Sequence, residues 1–206
     1  MKYYLKILLS AIFAGICIGL AGFGFLTNKT IGMFLFVFGL AAVVNYRVKL
    51  FTGTAGFLDK FSDLWMLLVC LIGNLIGCYL ISRIAMCSPN NLVETAEQVL
   101  SSRLSNGWLN SGIMAIGCGI LMSAAVQYAR ESKESKNFGH WLPLILGVPL
   151  FILCGFPHCI ADSFYYMTCS SEFLLSNLSS VLALYVSIVI GNFIGCNVYH
   201  IIYLIK

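Results

Sequence analysis

Apolar residues fall in long blocks along this chain, and the polar positions lie between the blocks instead of alternating with them. A hydrocarbon core takes about 20 apolar residues per helix. On that measure the chain predicts six segments, at about 3–25, 31–58, 64–86, 108–128, 141–167 and 178–204. Two of them are interrupted. Segment two is apolar only to Val44, gives way to Asn45-Tyr46-Arg47-Val48-Lys49, and resumes from Leu50 to Leu58. Segment five breaks at Cys154-Gly155-Phe156-Pro157 and resumes to about Met167. Connections are short except 87–107, which carries Glu94, Glu97 and Arg103 and reads as a surface loop or a short amphipathic helix. Residues 130–136 read as a solvated loop. One transmembrane domain over 1–206 is expected.

Composition supports the same class. The chain is 60% hydrophobic and 10% charged, with a mean hydropathy of +0.92. A soluble domain of this length cannot bury that much apolar surface and still cover itself with polar groups. A soluble enzyme, a disordered chain and a nucleic-acid binder are excluded as first readings, and an all-α integral membrane protein remains. The N-terminal run resembles a signal peptide in charge and hydropathy but is too long, so it is read as the first spanning helix.

The formal net charge of +4 is scattered, with no basic stripe, and no nucleic-acid partner is expected. Charge serves instead to set orientation. Lys2, Lys6, Lys60, Arg130, Lys133, Lys136 and Lys206 fall on one side of six spans, against Lys29, Arg83 and Arg103 on the other. That asymmetry predicts both termini in the cytoplasm, with a bacterial inner or plasma membrane as the expected location. The nine cysteines include no C-x-x-C, so they read as small packing residues, and neither a metal nor a cofactor is expected.

Segments three and six share a motif. Ile72-Gly73-Asn74-Leu75-Ile76-Gly77-Cys78 matches Ile190-Gly191-Asn192-Phe193-Ile194-Gly195-Cys196 at six of seven positions. Each copy follows an interrupted segment, so the chain reads as two three-helix units, about 1–86 and 106–206, joined by a linker at about 87–105. An odd number of spans per unit gives the second unit the opposite topology, an inverted repeat. Gly73, Asn74 and Gly77, with Gly191, Asn192 and Gly195, are read as helix-packing residues, the paired glycines allowing close helix approach. Broken backbone in hydrocarbon leaves polar groups unpaired, at several kcal/mol each, and is tolerated only where it is buried or lines a wet cavity. Two breaks in matching positions therefore point to a permeation site at the repeat interface.

Around the first break, Thr52 either offers its hydroxyl to a solute or caps the resumed half helix. Arg47 and Lys49 are paired or in water, or else the break is a plain solvent loop. At the second break, Pro157 is expected in the first turn of the resumed helix, followed by His158 and, one turn on, Asp162. An ionisable group beside a break is a functional candidate, and histidine titrates nearest neutral pH. His140 and His200 read as ordinary residues of a loop mouth and a helix end.

With these residues in place, the chain resembles the formate/nitrite transporter family over nearly its whole length. The resemblance rests on Ala14-Gly15, Leu50-Phe51-Thr52-Gly53, Gly73-Asn74-Leu75-Ile76-Gly77, Gly155-Phe156-x-His158-x-x-Ala161 and Gly191-Asn192-Phe193-Ile194-Gly195, in that order. It implies an aquaporin-like fold, a homopentamer with one pore per protomer, and passage of small monovalent weak-acid anions such as formate, nitrite, hydrosulfide, acetate or lactate. It also implies that Thr52 and His158 are the central polar pair, with Phe36, Leu40 and Phe151 at apolar constrictions and Leu50 and Phe51 in a gating loop on the cytoplasmic side. Departures from the family pattern are Lys49 for an acidic residue, Pro157 for Glu and Asp162 for Asn. The family's asparagine early in segment four has no clear counterpart near Ile116 or Gly117, and Arg103 is the nearest match to its pore-mouth lysine. The swapped charges suggest that Lys49 and Asp162 pair with each other across the two breaks. The expected mechanism is proton relay at His158, so that a neutral acid crosses the apolar rings. The alternative is a neutral-solute channel for water, glycerol, urea or ammonia.

Overall fold

A computed structural model describes residues 2–58, 60, 62–131 and 138–204. The greater part of the charged loop at 130–136 lies outside the described residues, as do Lys206 and the side chains of His140 and His200. The described elements are all helical: α1 (Lys2–Thr27), α2 (Lys29–Asn45), α3 (Thr52–Ala55), α4 (Asp63–Ala85), α5 (Leu92–Asn106), α6 (Trp108–Glu131), a 3-10 turn (Phe138–Trp141), α7 (Leu142–Leu153), α8 (Cys159–Thr168), α9 (Ser171–Ser176) and α10 (Leu178–Leu204). Four of them, α1, α4, α6 and α10, are long and apolar enough to cross a membrane, while α2 and α7 are apolar but shorter.

The glycine motifs explain the tightest pairings. α1 packs on α4, and α6 on α10. A Cβ on Gly77 would lie 2.2 Å from the Ile12 carbonyl oxygen, and one on Gly195 would lie 2.1 Å from that of Ile116. A Cβ on Gly191 would lie 2.1 Å from the Gly112 carbonyl oxygen, and one on Gly73 2.6 Å from the Ala11 Cβ. Backbone-to-backbone packing at these points admits no side chain, which is the small-residue rule for membrane helices acting twice.

Both expected breaks are present, and both helices end in the same way. In the first, Val48 N–H donates to Val43 O at 3.1 Å and Arg47 N–H to Val44 O at 3.1 Å. In the second, Phe156 N–H donates to Phe151 O at 3.0 Å and Gly155 N–H to Ile152 O at 3.0 Å. These are two Schellman closures, each turning on a left-handed residue. Glycine fills that place in the second, Gly155 at φ +68°, whereas Arg47 at φ +53° occupies it in the first.

The resumed pieces differ from expectation in two respects. The apolar stretch 50–58 yields only one turn of helix, Thr52–Ala55, since Gly56 ends it and four residues are too few to nucleate more. Pro157 lies just before the cap residue His158, outside the helix, because α8 begins at Cys159.

The linker is the short amphipathic helix α5, which turns Leu92, Ala96 and Leu100 inward at a spacing of one turn. It packs on α8 and is tied beyond both ends of that helix. Arg103 Nη1 donates to Gly155 O at 2.6 Å, and Glu97 Oε1 accepts from Ser170 N–H at 3.1 Å and from its hydroxyl at 2.5 Å. Large apolar side chains such as Leu9, Phe34, Phe38, Leu146, Leu182 and Ile190 remain exposed on the outer faces.

Candidate functional site

A buried asparagine braces each break. Asn74, fully buried on α4, accepts from Phe51 N–H at 2.8 Å and donates to Lys49 O at 2.9 Å and Ala11 O at 2.8 Å. Asn192, fully buried on α10, accepts from Cys159 N–H at 2.8 Å and donates to Pro157 O at 3.0 Å and Ala115 O at 2.8 Å. Each carboxamide thus satisfies backbone groups that the break would otherwise strand in an apolar interior. The asparagines that the sequence marks as packing residues also hold the broken strands in place.

A second pair of bonds crosses between the halves. Cys196 Sγ donates to Thr52 O at 3.2 Å, and Cys78 Sγ donates to Ile160 O at 3.3 Å. In keeping with this, α3 packs against α10 and α8 against α4. Nothing in the cysteine spacing distinguishes these thiols; the repeated Gly-Cys ending of the shared motif was the only signal available.

The breaks differ in the side chain each carries into the interior. Leu50 follows Lys49 as His158 follows Pro157, so that one break carries a buried leucine and the other a buried imidazole. His158 is the N-cap of α8, and its Nδ1 accepts from Ala161 N–H at 3.2 Å. A nitrogen that accepts carries no proton, so the neutral ring is protonated at Nε2. Nε2 lies 3.0 Å from Thr52 Oγ1 and donates to it. Thr52 therefore does not cap its helix, whose cap position is Phe51, and turns its hydroxyl to the histidine.

Aromatic rings continue outward from this pair. The Phe151 ring centroid lies 5.9 Å from that of His158 and 6.0 Å from that of Phe36, the latter edge to face. A cavity of about 10 Å³ sits among them, lined by Phe36, Leu40, Met122, Val148, Phe151 and His158. Beyond Phe151 an open cleft of about 210 Å³ is lined by Lys29, Gln98, Arg103, Phe151 and Asp162, among others. The sequence-selected Thr52, His158, Phe36, Leu40 and Phe151 thus gather at one place, and Leu50 and Phe51 are buried on the chain just before Thr52.

Asp162 does not pair with Lys49, as its charge had suggested. Its Oδ2 lies 3.3 Å from Arg103 Nε and accepts from the Tyr166 hydroxyl at 3.2 Å. The physical reason is that Asp162 is carried on the side of α8 that faces α5, whereas Lys49 stays with α4, its carbonyl held by Asn74 and its N–H by Ser10 Oγ at 3.0 Å.

Comparison with known proteins places these features in a family context. The family model described as formate/nitrite transporter matches residues 2–205. The "Formate channel FocA" of Haemophilus influenzae is 24% identical over 184 residues, 76% of this chain. The "Formate-nitrite transporter" of Plasmodium malariae is 25% identical over 228 residues, 92% of this chain. The alignments span 63% and 71% of those proteins' own lengths. Among solved structures, a "Pentameric formate channel with formate bound" superposes with a TM-score of 0.80 at 24% identity, covering 98% of both chains. An "FNT family ion channel" superposes with a TM-score of 0.74 at 16% identity, covering 100% of this chain and 90% of its own. The last two likenesses establish that this chain has the fold of those channels.

Proposed function

The chain belongs to the formate/nitrite transporter family and is an integral membrane protein, and on that premise we propose that it is a channel for small monovalent weak-acid anions. Formate, nitrite and hydrosulfide are the leading candidates. In this reading residues 1–206 form one transmembrane domain of six spans, with units at about 1–86 and 106–206 in inverted topology and both termini cytoplasmic. Five protomers assemble, each with its own pore, and the exposed apolar faces of the outer helices meet lipid or neighbouring protomers. The recurrence of one closure, one asparagine brace and one crossing thiol at both breaks supports the inverted repeat.

The observation that carries the reading is the hydrogen bond between His158 Nε2 and Thr52 Oγ1, beside an apolar cavity that Phe36, Leu40 and Phe151 enclose. A bare anion pays a large desolvation cost at such a place. Its conjugate acid does not, so the solute crosses the rings as the neutral acid. The Thr52 hydroxyl hydrogen is free to hold a solute oxygen, while the His158 Nε2–H is held by Thr52 Oγ1 until a solute anion takes that place. For the imidazole to pass its Nε2 proton to the anion, Nδ1 must take one up, and Ala161 N–H must release the ring as it does so. Leu50 and Phe51 belong to the segment that gates the cytoplasmic side.

Stopped-flow measurements on proteoliposomes test this. Formate, nitrite and hydrosulfide flux that rises as pH falls is expected from the native chain, and His158→Phe abolishes that pH dependence. Flux of urea or glycerol in place of the acids, indifferent to pH, would identify a neutral-solute channel instead.

A further inference from the structure

The cleft outside Phe151 contains an anion that belongs to the protein. Asp162 is 1% exposed, its carboxylate facing Arg103 at 3.3 Å and held by the Tyr166 hydroxyl at 3.2 Å. Arg103 is engaged at its far end as well, by the Gly155 carbonyl at 2.6 Å. Arg103, Asp162 and Lys29 all line the cleft, and Phe151 is the wall it shares with the cavity at His158. The guanidinium in the cleft therefore already has a carboxylate partner that cannot diffuse away.

Clefts lined by charge of one sign concentrate small ions of the other, by about 10- to 1,000-fold. A carboxylate in the same wall cancels much of that gain. Conduction sets an opposite demand, since a site must bind well enough to load and weakly enough to release. Resting on the channel reading above, we propose that the cleft is an entry site for a small monovalent oxyanion and that Asp162 is its built-in competitor for Arg103. An arriving anion takes one face of the guanidinium as the carboxylate yields it, and Asp162 reclaims that face when the anion moves on past Phe151. Lys29 supplies the second positive charge of the site. The carboxylate thus keeps the site loose and sets apparent affinity, not the identity of the pore.

Initial rates of formate uptake against formate concentration, in proteoliposomes of the full chain, test the proposal. Asp162→Asn retains an acceptor for Tyr166 and frees Arg103, and should lower the KM for formate about tenfold while maximal flux stays level or falls as release slows. Asp162→Glu should keep the native KM. Arg103→Gln should raise KM, and Asp162→Asn added to it should change KM no further. A purely structural tie between α5 and α8 predicts something else, a loss of assembled protein or of maximal flux with KM unmoved. An Asp162→Asn protein that assembles with a KM at or above native overturns the proposal. So does an unchanged KM in Arg103→Gln, which decides the matter should Asp162→Asn fail to assemble. A native chain that carries no weak-acid anion at all removes the channel reading and this proposal with it, whereas saturable formate flux with an unmoved KM rejects this proposal alone.

Discussion

Cys196 donates its thiol hydrogen to the backbone carbonyl of Thr52, 144 residues away, across a distance of 3.2 Å. The bond fixes the first residue of a one-turn helix that is too short to hold its own shape. Through it, α10 of one half positions the hydroxyl that meets His158 in the other.

Because that bond is the tie, donor capacity at 196 should matter more than volume. Cys196→Ser keeps a donor and should leave thermal stability and formate flux near native. Cys196→Val keeps apolar bulk and removes the donor, and should cost about 1 kcal/mol of stability with reduced flux. Fluorescence-detected unfolding in detergent, paired with liposome uptake, checks both, and equal behaviour of the two variants would show that the thiol acts by packing alone.

The asparagine braces should be among the least replaceable side chains in the molecule. Asn74→Leu strands the buried Phe51 N–H, and Asn192→Leu strands the Cys159 N–H and the Pro157 carbonyl. Each unpaired group costs about 1–3 kcal/mol, so either variant should lose about 1 kcal/mol or more, Asn192→Leu the more, and recover poorly as monodisperse protein. Size-exclusion profiles and melting temperatures report the loss.

Arg47 occupies a left-handed position that its counterpart fills with Gly155. A side chain there costs roughly 1–2 kcal/mol relative to glycine, offset in part by glycine's greater freedom in the unfolded chain. Arg47→Gly should therefore raise the melting temperature by a few degrees, by about 1 kcal/mol in stability. Gly155→Ala should lower stability by a similar amount, and a melting comparison of the two variants checks the sign of each.

Much of this architecture was legible along the chain. The apolar blocks, the two interruptions and the Gly-Asn-x-Ile-Gly-Cys repeat are local properties, and hydrocarbon imposes its length and polarity requirements on each segment separately. The candidates Thr52 and His158 were legible for the same reason, as polar residues beside costly breaks. What a break needs is set by chemistry: an acceptor for a stranded N–H, donors for stranded carbonyls, a counter-charge for a carboxylate. Which residue meets that need depends on what packing brings within about 3 Å, and many sequence-distant groups have the right chemistry. Hence Asp162 has Arg103 on the linker helix as its partner and not Lys49, the crossing thiols are Cys78 and Cys196 among nine cysteines, and the proton on His158 faces Thr52 because the Ala161 N–H occupies the other nitrogen.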